Sequence, residues 1–480
     1  MFDNEQTWTM PVASLGIDLG TTNTKVALVS LDASAVRVHA VATAPTPEPR
    51  DLGAVLATLV REVLAGAAPP DAVGIASMAE TGVPLAADGT PIGGWLRWTG
   101  HRAGAEADAL ADRLGWAHLV AATGVRPSAK VPLATWAWLQ THRPEVWDAM
   151  SRWAGVADLA AFVLTGRLIT DHTLAGRTMA YRLPATAEAP PTAFDDDLLA
   201  EVGLRPYHLP AVTSEPVAVT GFAGLRDGTP VVVAGHDHAV GAYACGVREP
   251  GDVADSLGTA EAVLTVVAGE PDPVAAGRAG MSVVLTVGGR YRAVLAGQSS
   301  AGAAVEWWLA NEAAGVTREE LFADLPDGPT GVLVLPYVRG RQTPAPDPAA
   351  RPRVVGREPA HGRAVLAKAL LEGLSLHTRW MLDEQARIAG GTGAPAVFLF
   401  GGAVAGNPDW TRIKAQVLPG TLRVVPAAEP VAVGAALLAA VRAGLVGPPG
   451  PALTTEPAPA GAKPYDDMYD RFVRAAQENG

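Results

Sequence analysis

Two stretches of this chain repeat one local plan, and that repetition limits the possible folds more than any other feature. Leu15-Gly-Ile-Asp-Leu-Gly-Thr-Thr-Asn-Thr-Lys-Val-Ala-Leu-Val29 and Val253-Ala-Asp-Ser-Leu-Gly-Thr-Ala-Glu-Ala-Val-Leu-Thr-Val-Val267 each read as an apolar strand, a tight turn and a second apolar strand. The turns are spelled Asp18-Leu-Gly-Thr21 and Ser256-Leu-Gly-Thr259. A glycine flanked by small hydroxyl residues lets backbone come close to a ligand and point N–H groups at it, which favours anions and phosphate above all. Two such turns imply two similar halves holding one polyphosphate between them.

A chain of 480 residues exceeds a single ordinary core, so two or more domains are expected. The boundary is expected near residue 248, giving domains over 14–247 and 248–446, with a Pro-rich linker and short amphipathic tail over 447–480. Hydrophobic residues at 49% against 18% charged describe a globular chain. A net charge of −12 argues against nucleic acid or an anionic membrane as partner, but not against a nucleotide held by local N–H groups and Mg²⁺. Cys245 is the only cysteine, which excludes an intrachain disulfide and a cysteine metal cluster. No apolar run reaches a membrane span and the N-terminus is unlike a signal peptide, so a cytoplasmic protein is expected.

Along the first half, Leu15–Leu19, Val26–Ser30 and Val36–Thr43 read as a strand meander, Leu52–Leu64 as an amphipathic helix and Ala72–Ser77 as a buried strand. Helices are expected over Leu133–Thr141 and Val156–Leu164, and a loop over 184–197. Val231–Gly235 reads as a buried strand followed by a small-residue helix, Ala239–Gly246. In the second half, strands are expected over Ser282–Thr286, Arg292–Ala296, Val332–Pro336 and Ala396–Phe400. Helices are expected over Ala301–Ala313, Arg363–Ala389, Trp410–Val417 and Val431–Ala443.

Asp18 ends a buried strand just before the Gly20 turn, a position suited to holding Mg²⁺ through water. Thr21, Thr22, Asn23 and Thr24 offer donors to phosphate; Lys25 adds a charge there or points to solvent as an ordinary strand residue. A plain hairpin with a polar turn is the alternative, weakened by the second copy at Gly258 and Thr259. A Gly-x-x-x-x-Gly-Lys-Ser/Thr loop is absent, as is a Gly-x-Gly-x-x-Gly opening the first helix, so phosphate binding would use hairpin turns. Asp237 follows a buried strand and a glycine and precedes a helix, where ligands of α/β folds collect. It can accept a proton from an alcohol attacking a γ-phosphate, and it can also cap the helix. His236 and His238 flank it and can orient or line the site; a His-x-His metal site lacks a third ligand. Gly401-Gly402-Ala403, after a strand and before Asn407, leaves room for a flat ring against backbone.

These stations, in this order, resemble the FGGY carbohydrate kinases of the sugar-kinase/Hsp70/actin superfamily. The matching segments are Gly16-Ile-Asp-Leu-Gly-Thr-Thr22, Gly235-His-Asp-His-Ala-Val-Gly241, Asp255-Ser-Leu-Gly-Thr-Ala260, Leu335-Pro-Tyr-Val-Arg-Gly-Arg-Gln-Thr-Pro344, Phe400-Gly-Gly-Ala-Val-Ala-Gly-Asn407 and Glu429-Pro-Val-Ala-Val-Gly-Ala-Ala436. The resemblance implies an α/β fold of two RNase H-like (actin-like ATPase) domains flanking a central cleft, with ATP and sugar between them. It implies Asp237 as catalytic base, Asp18 with Asp237 near Mg²⁺, and Gly20, Thr21, Thr22, Asn23, Lys25, Gly258 and Thr259 around the phosphates. Gly401, Gly402, Ala403 and Asn407 would meet adenosine.

On the acceptor side, the resemblance directs attention to Glu80, Trp98, Arg102, His236, His238 and Gln298. Glu80 either accepts from sugar hydroxyls or is a solvent-facing loop acid. Trp98 and Arg102 resemble the family's Trp-x-Asp-x-Arg, but the Asp position here is Gly100, so no particular sugar follows. The expected activity is ATP- and Mg²⁺-dependent phosphorylation of a hydroxyl of a sugar, polyol or related compound, by a protein compatible with a homodimer. The competing expectation is a chaperone-like or non-catalytic ATP-binding member of the superfamily. The roughly 35 residues beyond 445 are too few for a peptide-binding domain, and both carboxylates are present.

Overall fold

The computed structural model describes residues 11–32, 34–184, 189–391, 395–402, 407–426, 429–458 and 464–478. The first half is built on a six-stranded sheet of β1 (Val12–Leu19), β2 (Asn23–Leu31), β3 (Val36–Pro45), β4 (Ala72–Ser77), β5 (Val217–Ala218) and β6 (Pro230–His236). Its order is β3-β2-β1-β4-β6-β5. The hairpin strands run antiparallel, whereas β1, β4 and β6 run parallel. The second half repeats the plan with β7 (Asp252–Leu257), β8 (Glu261–Val267), β9 (Ser282–Leu285), β10 (Arg292–Gln298), β11 (Ala396–Phe400), β12 (Thr421–Val424) and β13 (Glu456–Pro457), in the order β9-β10-β8-β7-β11-β12-β13. The two turns of the sequence repeat thus link the first two strands of each sheet. Each sheet has its own apolar core, one built on Leu15, Ile17, Ile75 and Val233, the other on Val253, Val263, Val397 and Leu399.

The parallel register brings three strand ends together. Leu19 and His236 both pair with Ser77, so Asp18, the Met78–Thr81 loop and Asp237 emerge side by side at one edge. The helices used below are α1 (Leu52–Val63), α2 (Pro132–His142), α3 (Val156–Thr165), α4 (His172–Ala175), α5 (Asp237–Ala244), α6 (Gly302–Asn311), α7 (Arg363–Ala389), α8 (Pro408–Val417), α9 (Pro430–Arg442) and α10 (Asp466–Gln477).

The small-residue character of α9 has a packing cause. This helix comes from the second half yet lies on β1, β4 and β6 of the first. A Cβ on Gly16 would fall 1.8 Å from the Ala432 carbonyl oxygen, and one on Gly74 would fall 1.8 Å from that of Ala435. Ser14 Oγ donates to Ala436 O at 2.7 Å across the same contact. Gly74→Ala should therefore push two backbones apart and destabilise the protein by about 1–3 kcal/mol or more. Urea unfolding would show this as a lowered midpoint.

Three elements differ from the sequence expectation. The loop expected over 184–197, of which 185–188 lie outside the described residues, runs into a short helix at Asp196–Ala200, because Asp195 accepts from Leu198 N at 2.8 Å as a side-chain cap. The helix after β6 begins at Asp237 rather than Ala239. The 447–480 stretch contributes β13 to the sheet edge, and Tyr465 and Phe472 are fully buried in the second core. Arg248 also donates to the carbonyls of Gly450 and Pro451, at 2.8 and 2.9 Å, anchoring that stretch.

Candidate active site

The first turn is held in shape from outside. Gly20 N donates to Asn23 O at 3.0 Å, and Thr46 Oγ1 donates to Gly20 O at 2.7 Å. Thr22 and Asn23 are exposed. Thr21 Oγ1 accepts from Trp98 Nε1 at 3.2 Å, while Trp98 N donates to Thr81 Oγ1 at 3.2 Å. Trp98 therefore ties the turn to the loop that carries Glu80.

Asp18 is the last residue but one of β1, at 9% exposure, with Oδ1 buried and without a hydrogen-bond partner. Burial, reinforced by the neighbouring Asp237 carboxylate, pushes its pKa up to about 8. A buried carboxylate in that condition is suited to a divalent cation, which would restore its charged form. Lys25, opposite Asp18 in the β1–β2 register, places Nζ 2.5 Å from Glu429 Oε2 at the start of α9. It therefore points across the cleft instead of to solvent.

The second turn is braced from beneath. Gly302 N and Ala303 N, at the start of α6, donate to the carbonyls of Gly258 and Thr259, each at 3.0 Å. Asp255 and Glu261 flank the turn, and Lys414 of α8 reaches both at 2.5 Å. All three are fully buried. Burial raises Asp255 to about 8; the same effect on Glu261 is outweighed by Lys414 together with hydrogen bonds from Asp255 and Gln298, which hold that carboxyl below its usual range. The trio is then close to neutral overall. Gln298, expected on the acceptor side, is buried with its amide donating to Glu261, so it belongs to this network.

Gly401 has φ 112° and lies so close to Leu257 that a Cβ would fall 2.4 Å from its carbonyl oxygen, leaving only glycine at this position. Asn407 caps α8, accepting from Trp410 N at 3.0 Å, and is 4% exposed. That cap occupies the side-chain oxygen of a residue expected near adenosine. Ala403 lies outside the described residues. Between the halves opens a cavity of about 720 Å³, lined among others by Asp18, Lys25, Ser256, Gly401, Gly402 and Glu429. That volume falls in the range of small-molecule and cofactor sites.

Asp237 stands at the first position of α5, not at its cap, and its Oδ1 accepts from His238 N at 2.7 Å. His236 Nε2 lies 3.1 Å from the same oxygen and His238 Nε2 lies 3.8 Å away. Burial, partly offset by Asp237, lowers His236 to about 4, so its ring is neutral at pH 7. A neutral ring facing a carboxylate places its proton on Nε2, and His236 then orients Asp237. One atom each of His236, Asp237 and His238 lie within 4.8 Å of one another, a group able to hold a metal.

Behind them, His236 N donates to Thr173 Oγ1 at 2.9 Å, and Thr173 donates to Asp171 Oδ1 at 2.6 Å. Asp171 is fully buried and pairs with Arg442 of α9 at 2.9 Å. Although burial opposes it, His172 and Arg442 hold the Asp171 carboxyl far below its usual range. The β6 end is thus locked in place by a helix of the other half.

On the acceptor side, Glu80 adopts φ 63° and its side chain is only 7% exposed, so it is not a solvent-facing acid. It pairs with Arg177 at 2.5 Å and Lys130 at 3.5 Å. Arg102 stacks over Trp138 with its guanidinium carbon 5.6 Å from the ring centroid. Sequence reasoning missed Lys130, Arg177, Asp171, Arg442, Glu429 and Lys414. Two carried a usable signal: Glu429 opens a segment already matched to the family, and Lys414 shares one helical face with Trp410, Ile413 and Val417, an apolar stripe in which a lysine needs a buried partner.

Comparisons with known proteins follow the same division into halves. The family model described as "FGGY family of carbohydrate kinases, N-terminal domain" matches residues 13–244, and the corresponding C-terminal domain model matches 253–443. A ribulokinase of Anoxybacillus flavithermus is 26% identical over 90% of this chain and 86% of its own length. A xylulose kinase of Bacillus subtilis is 24% identical over 68% of this chain and 65% of its own. Among solved structures, a gluconate kinase from Lactobacillus acidophilus superposes with a TM-score of 0.84 at 17% identity, covering 98% of this chain and 97% of that one. A Plasmodium falciparum glycerol kinase with ADP gives 0.81 at 17% identity, covering 98% of each.

Proposed function

The chain belongs to the FGGY family of carbohydrate kinases, and from that membership we propose that it transfers the γ-phosphoryl group of ATP to a hydroxyl of a sugar, polyol or related compound, with Asp237 as the base. One observation carries the reading: Asp18 and Asp237 emerge side by side from parallel strands, and Asp18 lines the cavity whose far wall carries Ser256, Gly401 and Gly402. The curated relatives named as ribulokinase and xylulose kinase, and the solved kinase with ADP, agree with this chemistry.

In the proposed reaction, Asp237 Oδ takes the acceptor's hydroxyl proton as the oxygen bonds to the γ-phosphorus and the bond to the β-phosphate oxygen breaks, releasing ADP. His236 orients the carboxylate. The backbone turns at Gly20–Asn23 and Gly258–Thr259 face charge that develops on the transferring group. Mg²⁺, held by Asp18 with Asp237 nearby, would neutralise phosphate charge when bound. Lys25 can turn from Glu429 toward phosphate. Closure of the halves would exclude water, a competing acceptor. The proposal places the enzyme in the cytoplasm; among the described residues no helix is long and apolar enough to cross a membrane.

The test is ADP release by purified protein with Mg-ATP against pentoses, hexoses, ketoses, polyols, sugar acids and cyclitols, followed by product NMR. Release that depends on one acceptor class is expected. Hydrolysis stimulated by peptide and indifferent to every acceptor would favour the chaperone-like alternative instead.

A further inference from the structure

The acceptor side carries more positive charge than a neutral polyol requires. Glu80 faces two cations from different elements, Arg177 beyond α4 and Lys130 before α2. Arg177 is only 7% exposed, and its Nε and Nη1 are buried without a hydrogen-bond partner. Leaving such buried donors unmet is costly, so a ligand oxygen there is favoured. His236 pairs with Ser77 in the β4–β6 register, so the Met78–Thr81 loop that carries Glu80 leaves the sheet beside Asp237. Arg102 adds to the excess. Its Nη2 lies 2.6 Å from where a Cβ on Gly100 would be, it has no carboxylate partner among the described residues, and Gly100 supplies none.

We propose that the acceptor is an acidic sugar, its carboxylate received by Arg177 and Lys130 while one hydroxyl is presented to Asp237. This inference rests on the kinase reading above. A guanidinium with two free donors suits a carboxylate, and Glu80 serves as the counter-ion that fixes the guanidinium plane. Lys130, at 28% side-chain exposure, closes the same charge from the solvent side. A neutral acceptor would leave this charge unbalanced in a partly desolvated site.

The experiment compares matched pairs, an aldonate with its alditol and a uronate with its aldose, using wild type, Lys130→Gln and Arg177→Lys, with thermal melts to verify folding. The acid member should be preferred at least about tenfold in kcat/KM, the scale of one charged hydrogen bond. Lys130→Gln should narrow that preference, raising KM for the acid more than it lowers kcat. The acid alone should raise the melting temperature of the wild type. Equal or better use of neutral acceptors, with Lys130→Gln affecting both classes alike, would overturn the acidic acceptor and leave the kinase reading intact. No ADP release with any member of either class would overturn both.

Discussion

Asp237→Asn should lower the rate of acceptor phosphorylation by about 10²–10⁴-fold, the range that general-base groups supply, while nucleotide affinity stays near that of the wild type. The substitution keeps size and the contact with His238 N, which accounts for one oxygen at 2.7 Å, but removes the proton acceptor. Nucleotide contacts are expected from Gly401, Gly402 and the two turns, none of which involves the Asp237 side chain. Isothermal titration with ATP and single-turnover transfer assays separate the two quantities. Wild-type transfer by Asp237→Asn would remove Asp237 as base; loss of ATP binding would assign it to the nucleotide instead.

Asp18→Asn should abolish transfer and yet stabilise the protein in the absence of metal and nucleotide. The folded-state pKa of about 8 lies above the ordinary carboxyl value of 3.8 expected of the unfolded chain. Between those values the folded protein keeps a proton that the unfolded chain has released. Stability therefore falls as pH rises from about 4 to about 8, and the loss is complete above that. Asparagine carries no such penalty. At pH 8 the variant should be more stable by an amount on the order of a few kcal/mol, and the difference should vanish below about pH 4. Added Mg-ATP should reverse the order, since only the wild type gains the carboxylate–cation contact. Melting curves at several pH values, with and without Mg-ATP, measure this directly. Equal stabilisation of both proteins by Mg-ATP would separate Asp18 from the metal.

Much of the architecture was legible because it rests on local rules. The hairpin devices around Gly20 and Gly258, the strand Ala72–Ser77 and the long helix Arg363–Ala389 follow from hydrophobic period and turn chemistry alone. The tail was less legible because Tyr465 and Phe472 are buried by tertiary packing that a Pro-rich approach does not announce. The site divides in the same way. That Asp18 and Asp237 lie at strand ends could be read because Asp18 falls at the end of one apolar strand and Asp237 directly follows another. The Glu80–Arg177 pair joins residues 97 positions apart, and Asp171–Arg442 joins residues 271 apart. Nothing in either segment names its partner. The family resemblance pointed Gln298 and Asn407 toward ligand and said nothing of their local partners, whereas the structure has Gln298 donating to Glu261 and Asn407 capping α8.

A crystal structure with Mg²⁺ and a non-hydrolysable ATP analogue tests the central claim most directly, because it locates the transferring phosphorus. The account predicts adenine against Gly401–Gly402 and a terminal phosphate between the Gly20–Asn23 and Gly258–Thr259 turns, with the cation at Asp18 and an open path to Asp237. A terminal phosphate bound away from either turn, or shielded from Asp237 by protein, would contradict it.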